Sequence, residues 1–248
     1  LFILFLWQLL VGKNEIVISP QTTHITAPLR ANGMPNYPRW LDDHERKDVT
    51  AENNAAVLLW QAVRPIDMDM EEQHYEFICG ELGIDPVPAK EDCLQGVDDM
   101  ETFVRLATWL CEQRRLSVDG RIPTAQAIAA LASLEGNPWD LEGDADEMWF
   151  VIDPIIEEAQ FRPWPSEGIA PLADWARKNQ RPLDLLVAAS RRPRFYSPQP
   201  RSLDEQLLIT NLDLPLLGTG RDAASALSIR AMWHLHEGRA DAAWEDII

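Results

Sequence analysis

Asp153, Glu157 and Glu158 stand close to Trp149 in one stretch, and paired carboxylates beside an aromatic are what glycoside hydrolysis requires. Acids at i,i+4 spacing also decorate any solvated helix face, so the spacing alone supports both readings. Just upstream, Asp140-Leu-Glu-Gly-Asp-Ala-Asp-Glu looks superficially like a calcium loop. It lacks a glycine at the sixth place and a glutamate at the twelfth, so the match fails. Asp144 and Asp146 then read as acids at the positive end of the helix that follows. Arg191, Arg192 and Arg194 form the one basic patch, within Ser190-Arg-Arg-Pro-Arg-Phe-Tyr-Ser-Pro. They have the chemistry to clamp an anion or a partner's acid, or to serve as a connector paired with nearby acids.

Other chemistry is poorly supported. His24, His44, His74, His234 and His236 are scattered, and the last two lie roughly 200° apart around a helix axis, too far round to grip one metal. No catalytic signature of the H-E-x-x-H, G-x-S-x-G or P-loop type occurs. Gly218-Thr-Gly220 before a helix reads as a turn. Cys79, Cys93 and Cys111 contain no C-x-x-C pair, so zinc-ribbon and redox spacings are absent and any disulfide pairing stays open. The residues imply no cofactor and no metal, and the chain reads as a non-enzyme sooner than an enzyme.

The elements that must position these groups are helices. Residues 97–116 carry the clearest pattern, with Met100, Phe103, Val104, Ala107, Leu110 and Cys111 on one stripe and Asp98 and Asp99 at the start. A helix beginning with Thr50 as N-cap runs through Trp60 until Pro65 stops it. Another spans about 70–82, ending at Gly83. A short helix lies near 40–46, and others are expected at 124–134, 145–160, 169–179 and 182–190. No stretch alternates as a strand would, so the class is all-α. The ten tryptophans read mainly as gap-fillers between helices, with sugar platforms as the alternative.

Charge narrows the partners. With 22 basic against 40 acidic residues the chain carries −18, a field that repels phosphate backbones and excludes nucleic acid as a partner. At 46% apolar and 25% charged, the body is globular rather than disordered. The apolar run of residues 1–12 contrasts with that acidic body. It reads as part of a membrane-spanning signal anchor, with a cleaved signal peptide and a buried soluble helix as alternatives. Four parts follow: 1–12 the anchor, 13–49 a Pro-rich linker, 50–200 an irregular helical body, and 201–248 the start of a further helical region.

That last region, Arg221 to Ile248, resembles one tetratricopeptide unit. Leu227 and Ala231 match the large and small positions of its first helix, Gly238 the turn, and Ala243 and Ile247 the corresponding positions of the second. Arg230 takes a usually apolar position, and His234 one where an aromatic is common. Thr50-Ala-Glu-Asn-Asn-Ala-Ala-Val-Leu-Leu-Trp-Gln, Arg191-Arg-Pro-Arg-Phe-Tyr-Ser-Pro and the final Arg-Ala-Met-Trp…Glu-Gly-Arg…Ala-Trp also resemble a family of membrane-anchored planctomycete proteins with no assigned activity. The resemblance implies a cell-membrane anchor, an exported body and further chain beyond Ile248. The expectation is an anchored helical scaffold whose C-terminal repeats present a groove to an unidentified protein partner. The alternative is an envelope glycan hydrolase using the acids of 140–158 with tryptophan platforms.

Overall fold

Asn54, rather than Thr50, caps the first helix of the body. Its carboxamide oxygen accepts from the Ala56 amide at 3.1 Å, while Thr50 and Asn53 close a turn just before it through reciprocal side-chain bonds. Both residues suit an N-cap. Asn54 wins because its side chain also ties down a distant segment: Oδ1 accepts from the Tyr196 amide and Nδ2 donates to the Tyr196 carbonyl, each at 2.8 Å.

The computed structural model describes residues 24–63, 72–86, 93–113, 144–198 and 215–248, with 18, 19 and 21. Among the described residues the protein is all-helical, with no strand. The helices are α1 (Tyr37–Glu45), α2 (Ala55–Ala62), α3 (Glu72–Leu82), α4 (Met100–Glu112), α5 (Asp144–Phe161), α6 (Ala170–Lys178), α7 (Gln180–Ser190), α8 (Pro215–His236) and α9 (Ala240–Ile247). The expected helix at 124–134 and the apolar run of 1–12 lie outside the described residues. No helix among the described residues is long and apolar enough to cross a membrane.

Two compact units result, Leu1–Asp48 with Arg201–Leu212 and Val49–Pro200 with Asp213–Ile248. The first contains α1, which Asn36 caps through the Arg39 amide. The second contains α2 to α9. Within it, α8 lies against α5, α6 and α7 as well as against α9. Further contacts pair α2 with α7, and α4 with both α5 and α6.

Helix ends follow local chemistry. Asp99 accepts from the Thr102 amide at 2.7 Å and starts α4 where the sequence pattern places it. Gly83 and Gly238 adopt φ of +69° and +74°, the left-handed turn that ends a helix at little cost only in glycine. The Gly218-Thr-Gly220 run, in contrast, lies inside α8 and forms no turn before it. That helix runs back to Pro215 through two weak helix formers.

The core of the second unit is aromatic. Trp60, Trp149, Trp164, Trp175 and Trp233 are buried, joined by Tyr75, Phe103 and aliphatic side chains from α2 to α8. Three of these indoles donate hydrogen bonds: Trp60 Nε1 to Ser197 Oγ at 3.0 Å, Trp175 Nε1 to the Gln95 carbonyl at 2.9 Å, and Trp233 Nε1 to Ser166 Oγ at 2.8 Å. Asn179, fully buried between α6 and α7, accepts from the Gln95 amide at 2.7 Å and donates to the Trp175 carbonyl. Among the described tryptophans, Trp244 departs from the gap-filling expectation, at 65% exposed.

Candidate functional site

Helix α8 runs an apolar stripe through Ala223, Ala226, Ile229 and Trp233, and Arg230 interrupts it. A guanidinium cannot leave water on an apolar face without a counter-charge. Asp246, sixteen residues on and carried by α9, supplies it: Arg230 Nε lies 3.1 Å from both carboxylate oxygens and Nη2 lies 2.5 Å from Oδ1. Nη1 reaches the other way, to Asp184 Oδ1 on α7 at 2.7 Å and to the Gln180 carbonyl at 3.4 Å. One arginine thus ties three helices together. Its side chain is 5% exposed and that of Asp246 2%, so the pair sits where solvent screening is weak.

Above this floor a cleft of about 160 Å³ opens between α7 and α9. Asp184 and Val187 line one wall, Ala242 and Glu245 the other, and Trp233 and His234 the base. Buried His234 Nδ1 lies 3.3 Å from Asp246 Oδ2, near enough for charge attraction but without an aligned hydrogen bond. The Arg239 guanidinium stands 4.7 Å from the Trp233 ring centroid and that of Arg177 5.8 Å away, both in cation–π range. Trp164 stacks on the same indole at 6.2 Å.

Trp233 is fixed in place by a relay. Its Nε1 donates to Ser166 Oγ at 2.8 Å, and Ser166 in turn donates to Glu237 Oε1 at 2.8 Å. The Ser166 hydroxyl is the main reason the Glu237 carboxyl is lowered below the ordinary glutamate value; Arg239 and His236 add smaller attractions. At the far end of the cleft, Arg191 reaches Glu245 across 3.5 Å.

Chemically, this arrangement recognises more readily than it reacts. A histidine backed by a buried carboxylate is one ingredient of base catalysis, but here Arg230 already compensates that carboxylate. Among the described residues, no serine, threonine or cysteine lines the cleft to serve as a nucleophile. What remains is a firm floor, an aromatic ring, and cations and acids arranged along two walls.

Most of the residues singled out in the sequence lie outside the cleft lining. Arg191 faces Glu245, Arg192 Nη1 donates to the carbonyls of Ala51 and Asn54 at 2.7 Å each, and Arg194 is exposed. The Arg194 backbone bridges to the start of α2, accepting from the Ala55 amide at 2.8 Å. The three guanidiniums therefore have different neighbours. Tyr196 docks into the core, while Phe195 is exposed. Asp153 and Glu157 lie on the outward face of α5, and Trp149 points into the core beside Phe103. Asp144 and Asp146 fall in the first turn of α5. Among the described residues no cluster of three or more His, Cys, Asp or Glu could hold a metal ion.

Sequence spacing does not bring Arg230, Asp246, Asp184 and Trp233 together as a site. The signal for the first was present: a charge on an apolar stripe demands a partner from a neighbouring helix. No protein-family model matches this chain, and neither the curated proteins nor the solved structures yield a significant match.

Proposed function

We propose that the protein is a membrane-anchored, exported helical scaffold for protein–protein interaction, in which residues 1–12 supply the anchor and the α7–α9 cleft receives a segment of a partner. The cleft carries the reading. Its lining includes Arg177, Arg239 and Trp233, side-chain types enriched at interaction hot spots, over a floor held by the Arg230–Asp246 pair. A pre-organised floor lowers the ordering cost of binding. The apolar run of 1–12 and the resemblance to membrane-anchored planctomycete proteins support the anchored, exported part of the reading. The tetratricopeptide-like pattern of α8 and α9 supports the groove.

The test is cross-linking in the native envelope followed by pull-down, comparing the parent with Ala242→Trp. Ala242 lines the cleft and is only partly buried, so a larger side chain there should fill the groove without disturbing the core. A cross-linked protein captured by the parent should be lost from the variant. Identical capture by both proteins, with the variant folded, would remove the groove from the proposal.

A further inference from the structure

Helix α5 turns Met148, Trp149, Ile152, Ile156 and Ala159 into the core. Its opposite face is unusual for a helix so well anchored. Phe150 is 80% exposed and Phe161 73%, although phenylalanine is normally an interior residue. Eleven residues separate them, about three turns plus 20°, so the two rings stand on one face about 16 Å apart along the axis. Asp153, Pro154 and Glu157 lie between them, all exposed, with Glu158 at the flank. Arg162 pairs with Glu158 at 3.0 Å, while Asp153 and Glu157 form no ion pair among the described residues. Pro154 has no N–H, so the Phe150 carbonyl loses its helical donor and is one more acceptor in this region.

The centre of this face therefore offers two apolar rings and hydrogen-bond acceptors, on a chain of −18. Its complement must bring apolar side chains at about one helix-face spacing and donors with positive charge between them. We propose that this face of α5 docks a basic amphipathic segment of a partner protein, with apolar side chains on Phe150 and Phe161 and lysine or arginine on Asp153 and Glu157. An anionic lipid surface or a nucleic acid would meet repulsion here. A second copy of the chain, pairing the same face about a two-fold axis, would set acid against acid. The face shares no residue with the α7–α9 cleft, so the two surfaces stand or fall separately.

The experiment uses the full chain and two synthetic amphipathic helical peptides. One carries leucines at matching spacing with lysines between, and the other has every lysine replaced by glutamate. Calorimetric titration should show saturable binding of the lysine peptide only. Phe150→Ser/Phe161→Ser should weaken it by roughly tenfold or more, the scale of lost anchor residues. Asp153→Lys/Glu157→Lys should abolish it and gain the glutamate peptide. Glu76→Lys/Asp85→Lys, the same charge change at exposed positions elsewhere, should stay within about twofold of the parent. Equal loss in that remote pair would reduce the effect to the general acidic field and overturn the site. So would unchanged binding in the phenylalanine variant, or absence of saturable binding in the parent. Self-association that the phenylalanine variant abolishes, without peptide binding, would assign the face to a second copy instead. Thermal melts verify folding; should the serine variant fail to fold, the switch of peptide preference decides the question.

Discussion

Arg230 shows what one residue can impose on its surroundings. Its charge is buried and compensated by Asp246 on α9 and Asp184 on α7, so truncating it leaves a buried carboxylate without its cation. Arg230→Leu is expected to cost about 3–5 kcal/mol in urea unfolding, the range for a broken buried pair. Arg230→Leu/Asp246→Leu should recover most of that loss, because paired apolar groups carry no desolvation penalty. A double variant as weak as the single one would mean that the pair matters for packing and not for charge. Asp99 offers a test with a pH axis. Burial raises its carboxyl above the ordinary aspartate value, opposed by its hydrogen bonds with Thr102. The folded state then binds the proton more tightly than the unfolded chain, so this group's contribution falls as pH rises from about 4 through the raised folded value. Asp99→Asn keeps the cap and removes that loss, so it should be at least as stable as the parent at pH 7. Asp99→Ala should cost roughly 1 kcal/mol at any pH above that window. If Asn proves as destabilising as Ala at neutral pH, attraction between the ionised carboxylate and the helix dipole outweighs its desolvation.

At the scale of elements, α8 and α9 are joined by Gly238 and pack against each other, with Arg230 paired to Asp246 across them. Ala243 is buried at 1% exposed, and Ala231 on α8 is fully buried. Ala243→Leu should overpack this contact and cost roughly 1–3 kcal/mol. Ala242→Leu, one position round the helix and facing the cleft, should be milder. Equal melting of both variants and the parent would show that α9 packs loosely. The turn at Gly238 is legible in the sequence, because a glycine just past an apolar stripe marks a helix end. The start of α2 was less so. Thr50 and Asn54 are both acceptable caps, and only the hydrogen bonds between Asn54 and Tyr196, 142 residues later, decide between them. Gly218 and Gly220 misled for a related reason: local propensity favours a turn, and α8 continues through them because its later part is anchored on α5 and α7.

For the whole molecule, the remaining expectation concerns the chain's address. Residues 1–12 are continuous in apolar character apart from Gln8 and stop at Lys13. Alkaline carbonate washing of membranes containing the full-length protein should leave it in the pellet, as an embedded helix resists removal of surface-bound proteins. Release of the intact chain into the supernatant would rule out the anchor. The body should behave independently of that outcome, since its core is built from α2 to α8 within one unit.

By itself, the sequence determined the all-α class and the glycine turns that end α3 and α8. These depend on interactions within one or two turns, where glycine, proline and capping side chains act directly on the adjacent backbone. Tertiary structure alone decided which polar residues would be buried together and which aromatics would be left outside. Periodicity identifies an apolar stripe but not the helix that covers it, so Arg230 could be seen as misplaced without Asp184 or Asp246 being named. Phe150 and Phe161 were equally ambiguous, because a phenylalanine in a helix declares its preference for burial and not whether a neighbour arrives to satisfy it. Such outcomes rest on contacts between residues far apart in the chain, whose meeting depends on how all the helices pack at once.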